Sequence, residues 1–319
     1  MKIRTFNSDD YPSFVDIHFS LNISWPERPR DPEAWAAADK NRNPKCKYQR
    51  WIASVDGRPA GFGAYGQGMD DYHPQRFYVN VEVRPEYQRQ GIGAALYNHV
   101  LEDLQQFDPR VLRADSFTNL PQGYRFLQQR GFKEVFRETP VQLDVNAFDP
   151  RPYADLEPGL QKQGIVIKTL RELESDPQRD RKLYQLYWEA FADVPQEDAS
   201  LVRPEFEEWI QWGLNDPTIL HDAYFVAVHG EEYVGLRELG KNPGSDTLVG
   251  GLLGVRREWR KRGIGLAMQL RGIAYARALG YPVLKTCTAI QNAPMQALFN
   301  KLGYRRGPEW QQCQKDIQP

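Results

Sequence analysis

Residues 83–96 read VRPEYQRQGIGAAL, and residues 255–268 read VRREWRKRGIGLAM. Seven of the fourteen positions are identical, and the glycine pairs coincide: Gly91 with Gly93 in one copy, Gly263 with Gly265 in the other. Each copy leaves a β-rich run, crosses a loop of basic and amide side chains, passes Gly-Ile-Gly and enters an apolar-periodic helix. Glycines let the backbone turn its N–H groups toward one point, and the start of a helix adds its positive dipole end. Gln88, Arg89 and Gln90 place further donors and charge beside the first such point, and Arg260, Lys261 and Arg262 do so beside the second. Each copy therefore reads as a cradle for a phosphate-bearing ligand.

The chain around the cradles repeats as well. The first half reads as a short strand at 2–6 and a helix capped by Ser8 and Asp9 that carries Tyr11, Phe14, Val15 and Leu21 on one face. A helix at 33–40 follows, then strands at 51–55 and 60–65 joined by the hairpin signal Asp56-Gly57, and a fourth strand at 77–83. After the cradle helix come a fifth strand at 111–114, a helix at 121–129, and closing strands from Gly131-Phe132 to about Val145. Residues 147–163 are rich in proline and charge and lack periodicity, so they are expected to link a domain at 1–146 to one at 164–319. The second half repeats the order: a strand at 165–169, helices at 179–192 and 206–214, and strands at 224–228, 233–239 and 247–255. The cradle helix at 264–279, a strand at 283–288, a helix at 293–301 and last strands from Tyr304 complete it. One offset, 172, relates Gly91 to Gly263 and Gly131 to Gly303. Asn119-Leu120-Pro121 answers Asn292-Ala293-Pro294 at 173, a single insertion later cancelled. Two anchors at one offset identify an internal duplication.

A length of 319 residues suits two domains, each able to bury a core. A formal net charge of −1 argues against a nucleic-acid or polybasic membrane surface. Cys46, Cys287 and Cys313 lack metal-ligand spacing, so no metal is expected, and an odd set suits a reducing cytoplasm. Polar residues follow Met1 to Arg4 directly, and no run of about 18 apolar residues occurs, so neither a signal peptide nor a membrane span is expected.

With these motifs in view, the chain resembles the GNAT acetyltransferases, and among them the tandem, two-domain members. The family signature Gln/Arg-x-x-Gly-x-Gly/Ala is met by Gln88, Gly91 and Gly93 and by Arg260, Gly263 and Gly265. A second landmark, an Asn, a short helix and then Gly-Phe or Gly-Tyr, is met by Asn119 with Gly131-Phe132 and by Asn292 with Gly303-Tyr304. The resemblance implies an α/β (α+β) fold of two tandem domains. Each would be a mixed, mostly antiparallel sheet flanked by helices and splayed between its fourth and fifth strands, with acetyl-coenzyme A in the opening. Its pyrophosphate would sit on the N–H groups of Arg89, Gln90, Gly91, Ile92, Gly93 and Ala94, and of Lys261, Arg262, Gly263, Ile264, Gly265 and Leu266. Its pantetheine arm would pair like an extra strand with Val81 and Val83, and with Leu253 and Val255, with Asn119 and Asn292 on the far side. A monomer is expected, the tandem halves standing in for a dimer. A dinucleotide fingerprint would want a third glycine where Leu96 and Met268 stand, and a P-loop would want Gly-Lys-Ser/Thr.

Acetyl transfer to an amine needs a neutral amine, although a lysine-like amine titrates near ~10.4. It also needs a donor for the oxyanion and a route for the thiolate to leave. For the base, the first half offers Glu82 on the fourth strand, on the face opposite Val81 and Val83, and Asp115 at the end of the fifth. A surface ion pair is the plainer reading of each. The second half reads Gly250-Gly251-Leu252-Leu253-Gly254 along its fourth strand and shows no carboxylate there, while Cys287 reads as a small core residue. The family's tyrosine acid would stand at Leu127 and Phe299, so both halves depart from the pattern. Tyr124, one turn earlier, is the substitute, with ordinary packing as its alternative. The loop between the first two helices often walls the acceptor site in this family. It is mixed in the first half (Glu27, Arg28, Arg30, Asp31) and acidic in the second (Asp193, Glu197, Asp198), which suits a cationic amine. The sequence thus points to an acetyltransferase acting on a small-molecule or peptide amine, with a coenzyme A-binding regulatory module lacking catalysis as the alternative.

Overall fold

Asp56 and Gly57 both take left-handed φ, 49° and 78°, the backbone a two-residue hairpin turn requires. They join two strands of a layered unit whose elements follow the expected order. These are β1 (Lys2–Thr5), α1 (Tyr11–Ser20), α2 (Pro32–Lys40), β2 (Tyr48–Val55), β3 (Arg58–Gly66), β4 (Arg76–Val83), α3 (Ile92–Leu104), β5 (Val111–Phe117), α4 (Pro121–Gln128) and β6 (Lys133–Asp144). The second half follows with α5 (Leu156–Gln161), β7 (Ile165–Thr169), α6 (Arg179–Phe191), α7 (Phe206–Trp209), β8 (Phe225–His229), β9 (Glu232–Lys241), β10 (Thr247–Val255), α8 (Ile264–Ala278), β11 (Val283–Ala289), α9 (Ala293–Lys301), β12 (Arg305–Arg306) and β13 (Trp310–Asp316). This computed structural model describes residues 1–23, 28–68, 72–196, 203–242 and 245–317, with Trp212 described by its backbone alone. Among the described residues no helix is long and apolar enough to cross a membrane.

In the first unit the strands run β1-β2-β3-β4-β5-β13, all antiparallel except β4 against β5. That parallel ladder holds at Arg76↔Val111, Phe77↔Leu112 and Tyr78↔Arg113 and then stops, leaving the ends of β4 and β5 apart. One face buries Trp51, Phe77, Val79 and Leu112 against Val100 and Leu104 of α3, and the other buries Ile52 and Phe62 against Phe14 and Ile17 of α1. In the second unit β10 and β11 pair in parallel at Thr247↔Val283, Leu248↔Leu284 and Val249↔Lys285, and also part beyond. The expected splay is therefore present in both halves.

The closing strands depart from the expected boundaries. The units are Met1–Arg137 with the chain from Pro308 on, and Glu138–Gly307. Residues 138–144 of β6 pair antiparallel with β11 of the second unit, and β13 pairs antiparallel with β5 of the first. The duplication offset of 172 carries 138–144 onto 310–316, so the two copies have exchanged equivalent strands. Residues 147–163, expected as a linker, lie inside the second unit. Leu160 of α5 is buried in its core, Glu157 pairs with Arg271 of α8, and Tyr153 Oη donates to the Lys301 carbonyl at 3.2 Å.

Candidate active site

The two cradles share one backbone. Arg89 and Lys261 take φ of 61° and 63°, and Gly91 and Gly263, each the N-cap of its helix, take 83° and 89°. A left-handed N-cap between a 3-10 turn and a helix turns successive N–H groups outward, which is why glycine stands there. The Arg84 N–H bonds the Ala60 carbonyl and the Arg256 N–H bonds that of Val234. By antiparallel alternation, Val81 and Val83, and Leu253 and Val255, then turn their own N–H and C=O groups away from β3 and β9 toward the splay. Gln88 Nε2 donates to the Val83 carbonyl at 2.9 Å, and Arg260 Nε donates to that of Val255 at 2.8 Å. The first signature residue is thus bound to the strand, fixing the loop rather than facing the cradle. Gln90 bonds back to the Glu86 carbonyl, and Arg262 stacks on Trp259.

The cradles differ in cover. A Cβ at Gly91 would meet nothing within 4 Å, whereas one at Gly263 would lie 2.8 Å from Leu156 Cδ1. In the second unit α5, held by the Glu157–Arg271 pair, leans its leucine on the cradle glycine. If each cradle takes the coenzyme A that the resemblance implies, Leu156→Ala should tighten its binding at the second cradle at least several-fold and leave the first unchanged, as read by titration calorimetry.

Beside the first splay, the structure brings Glu82 together with a residue the sequence reading missed. His18 of α1 places Nδ1 3.1 and 3.0 Å from the two carboxylate oxygens of Glu82, and both side chains are buried. Asn80 Nδ2 donates to Glu82 Oε1 at 3.1 Å, and Arg28 lies within electrostatic reach of Glu82 and Asp115. Asp115 itself is exposed on β5. Tyr124 is a half-buried ring on the core of the first unit, and Leu127 and Phe299 are buried, so neither half carries a hydroxyl at the family's tyrosine position. Asn119 is exposed in the turn after β5, and Asn292 accepts the Met295 N–H as the cap of α9.

The second unit has a carboxylate after all. A bulge in β10 between Gly250 and Leu253 opens the strand, and Glu238 of β9 reaches it, Oε2 accepting the Leu252 N–H at 2.9 Å. A Cβ at Gly250 would lie 2.4 Å from the Arg237 guanidinium, one at Gly251 2.5 Å from Glu238 Oε2, and one at Gly254 2.3 Å from Ala190 Cβ. Those contacts account for the glycine-rich fourth strand. Buried Arg237 continues through Gln269 to the Tyr304 hydroxyl. Burial pushes the Glu238 carboxyl up. Its protonated form is the one the fold favours, so its contribution is present below the ordinary carboxylate pKa of ~4.3 and is lost as pH rises through the raised value. The melting temperature of Glu238→Gln should accordingly gain on the wild type as the pH rises above the ordinary carboxylate range.

Of the expected acidic wall, the described Asp193 is already engaged. Asp193 is held by Arg257 and Arg260, which keep its carboxyl well below the usual carboxylate range, while Asp31 caps α2 and Arg30 stacks on Phe19. Glu27, Glu197 and Asp198 lie outside the described residues. Cys287, expected as a core residue, is half-buried, with Sγ 3.6 Å from Glu138 Oε1. His18 carries little signal by itself, since one histidine on an apolar helix face reads as core. Glu238 was hidden because a bulge cannot be read from strand alternation.

Comparison with known proteins gives a consistent picture. The profile of the Acetyltransferase (GNAT) family matches residues 11–132 and 181–304. A mycothiol acetyltransferase of Thermobifida fusca is 26% identical over 243 residues, 71% of this chain and 70% of its own length. That of Acidothermus cellulolyticus is 24% identical over 274 residues, 82% and 77% of the two chains. Among solved structures, a GCN5-related N-acetyltransferase from Sphaerobacter thermophilus superposes with a TM-score of 0.75 at 18% identity, covering 100% of this chain and 96% of its own. A tandem GNAT protein from the clavulanic acid biosynthesis pathway gives 0.73 at 19%, covering 100% and 99%.

Proposed function

The chain belongs to the acetyltransferase (GNAT) family and is an acyltransferase, and from that premise we propose that it moves an acetyl group from acetyl-coenzyme A to a primary amine of a small molecule or peptide, with the chemistry in the first half. The observation that carries this reading is the coincidence, in one unit, of an open cradle at Gly91, a splay lined by the backbone edge of Val81 and the Val83 N–H, and buried Glu82 beside it. The residues present fit the cosubstrate. N–H groups from Arg89 to Ala94 would hold its pyrophosphate, and the edge of β4 would pair with the amides of its arm. Acetyl-coenzyme A supplies an activated carbonyl carbon. The protein's part is to line an amine up with that carbon, offer a backbone N–H of β4 to the oxyanion and accept a proton on the Glu82 side.

The second half is read as a cofactor-binding half with a tighter cover, because Leu156 leans on its cradle and Gly254 stands where Glu82 does. Acceptor identity is tested by following free thiol release from acetyl-coenzyme A against a panel of amines, including the acceptor used by the mycothiol acetyltransferases. An amine-dependent rate is expected for the intact protein. Saturable coenzyme A binding with no turnover on any amine would favour the regulatory reading instead. The protein is proposed to act in the cytoplasm as a monomer.

A further inference from the structure

We propose that His18 takes the proton from the acceptor amine through its Nε2, and that Glu82 is the positioning residue that holds the ring. The inference rests on the transferase reading of the first half. Both carboxylate oxygens of Glu82 lie within 3.1 Å of His18 Nδ1. A carboxylate only accepts, so Nδ1 carries the hydrogen, and in the neutral ring Nε2 is left as a lone-pair acceptor. His18 is 8% exposed, and its Nε2 is buried with no hydrogen-bond partner among the described residues. A buried polar atom left unpaired costs stability, and its persistence calls for a reason. Around the pair stand Asn80 on Glu82, Arg28 near Glu82 and Asp115, and the rings of Phe19 and Trp35 flanking the imidazole.

The plain alternative is that the pair only fastens α1 to β4. The other copy of the fold speaks against it. The offset of 172 carries His18 to Ala190 and Glu82 to Gly254, and there a methyl of α6 faces the backbone of β10 where the first half has the His–Glu pair. The fold closes without the pair, and burying one is a poor route to stability. The pair occurs in the half whose cradle is open.

The step balances without a further reagent. The amine nitrogen bonds to the acetyl carbon as the carbon–sulfur bond breaks. The amine proton passes to His18 Nε2, giving an imidazolium facing Glu82, and the ring then returns it to the departing sulfur. The products are the amide, the free thiol and the neutral ring. One group thus covers the base and the acid whose usual tyrosine is replaced by buried Leu127.

His18→Asn separates the two roles, because its amide still donates to Glu82 while Nε2 is gone. It is expected to melt near the wild type and bind coenzyme A as well, yet lose about 10²-fold or more in kcat. His18→Gly is expected to regain rate with added imidazole. Without any substrate, nitrogen-15 spectra of the wild type should show the neutral His18 ring protonated at Nδ1 and bare at Nε2. The opposite tautomer, or wild-type kcat in a folded His18→Asn, overturns the proposal while the transferase reading stands. A wild type inactive on every amine fails that reading instead, and the tautomer then decides the geometry alone.

Discussion

Gly91→Asp is expected to abolish measurable coenzyme A binding at the first half and turnover with it. The substitution acts in two ways. An aspartate must adopt φ near 83°, a region glycine takes freely and other residues enter at a cost of about 1 kcal/mol. It also sets a carboxylate beside the pyrophosphate, and two like charges about 4 Å apart near a protein surface repel by roughly 4 kcal/mol. Together these amount to about 5 kcal/mol, or several thousand-fold in affinity. Gly91→Ala is the control, since a methyl there meets nothing within 4 Å and should cost only the conformational part. Calorimetry on Gly91→Asp should retain the weaker second equivalent. Loss of both equivalents would show that the halves bind as one unit, and loss of neither would remove Gly91 from the site.

Glu82→Gln should keep acetyl-coenzyme A affinity and lower kcat by roughly 10²-fold or more, the range for losing a proton acceptor or its partner. Glutamine fills the same volume, and its amide oxygen can still take the His18 Nδ1–H, but it carries no charge to stabilise a protonated ring. Asp115→Asn is expected to matter less, because Asp115 is exposed and its field is screened by water. If the double variant Glu82→Gln/Asp115→Asn turned over at the wild-type rate, the chemistry would move to the second half, where Glu238 is the carboxylate at the splay.

Much of this molecule is legible in fourteen residues read twice. The glycine positions and the switch from strand to helix period fix the cradle locally, because left-handed φ and helix N-terminal geometry depend on a few neighbouring residues. The repeat offset then gives the element order of both halves, and alternation along β4 sets Glu82 opposite Val81 and Val83. Such features are short-range, so the sequence determines them.

What the tertiary structure decided is long-range. Residues 138–144 and 310–316 are equivalent closing strands, and β5 and β11 offer equivalent edges, so local pattern cannot choose which strand closes which sheet. His18 and Glu82 are 64 residues apart, and only the packing of α1 on β4 makes them a pair. Leu156 meets Gly263 because α5 folds onto α8 rather than spanning open solvent as a linker. Glu238 reaches the second splay because a bulge, held open by Gly250 and Gly251, shifts the strand against its neighbour. In each case the deciding energy comes from contacts between distant segments, and a sequence read one window at a time does not contain it.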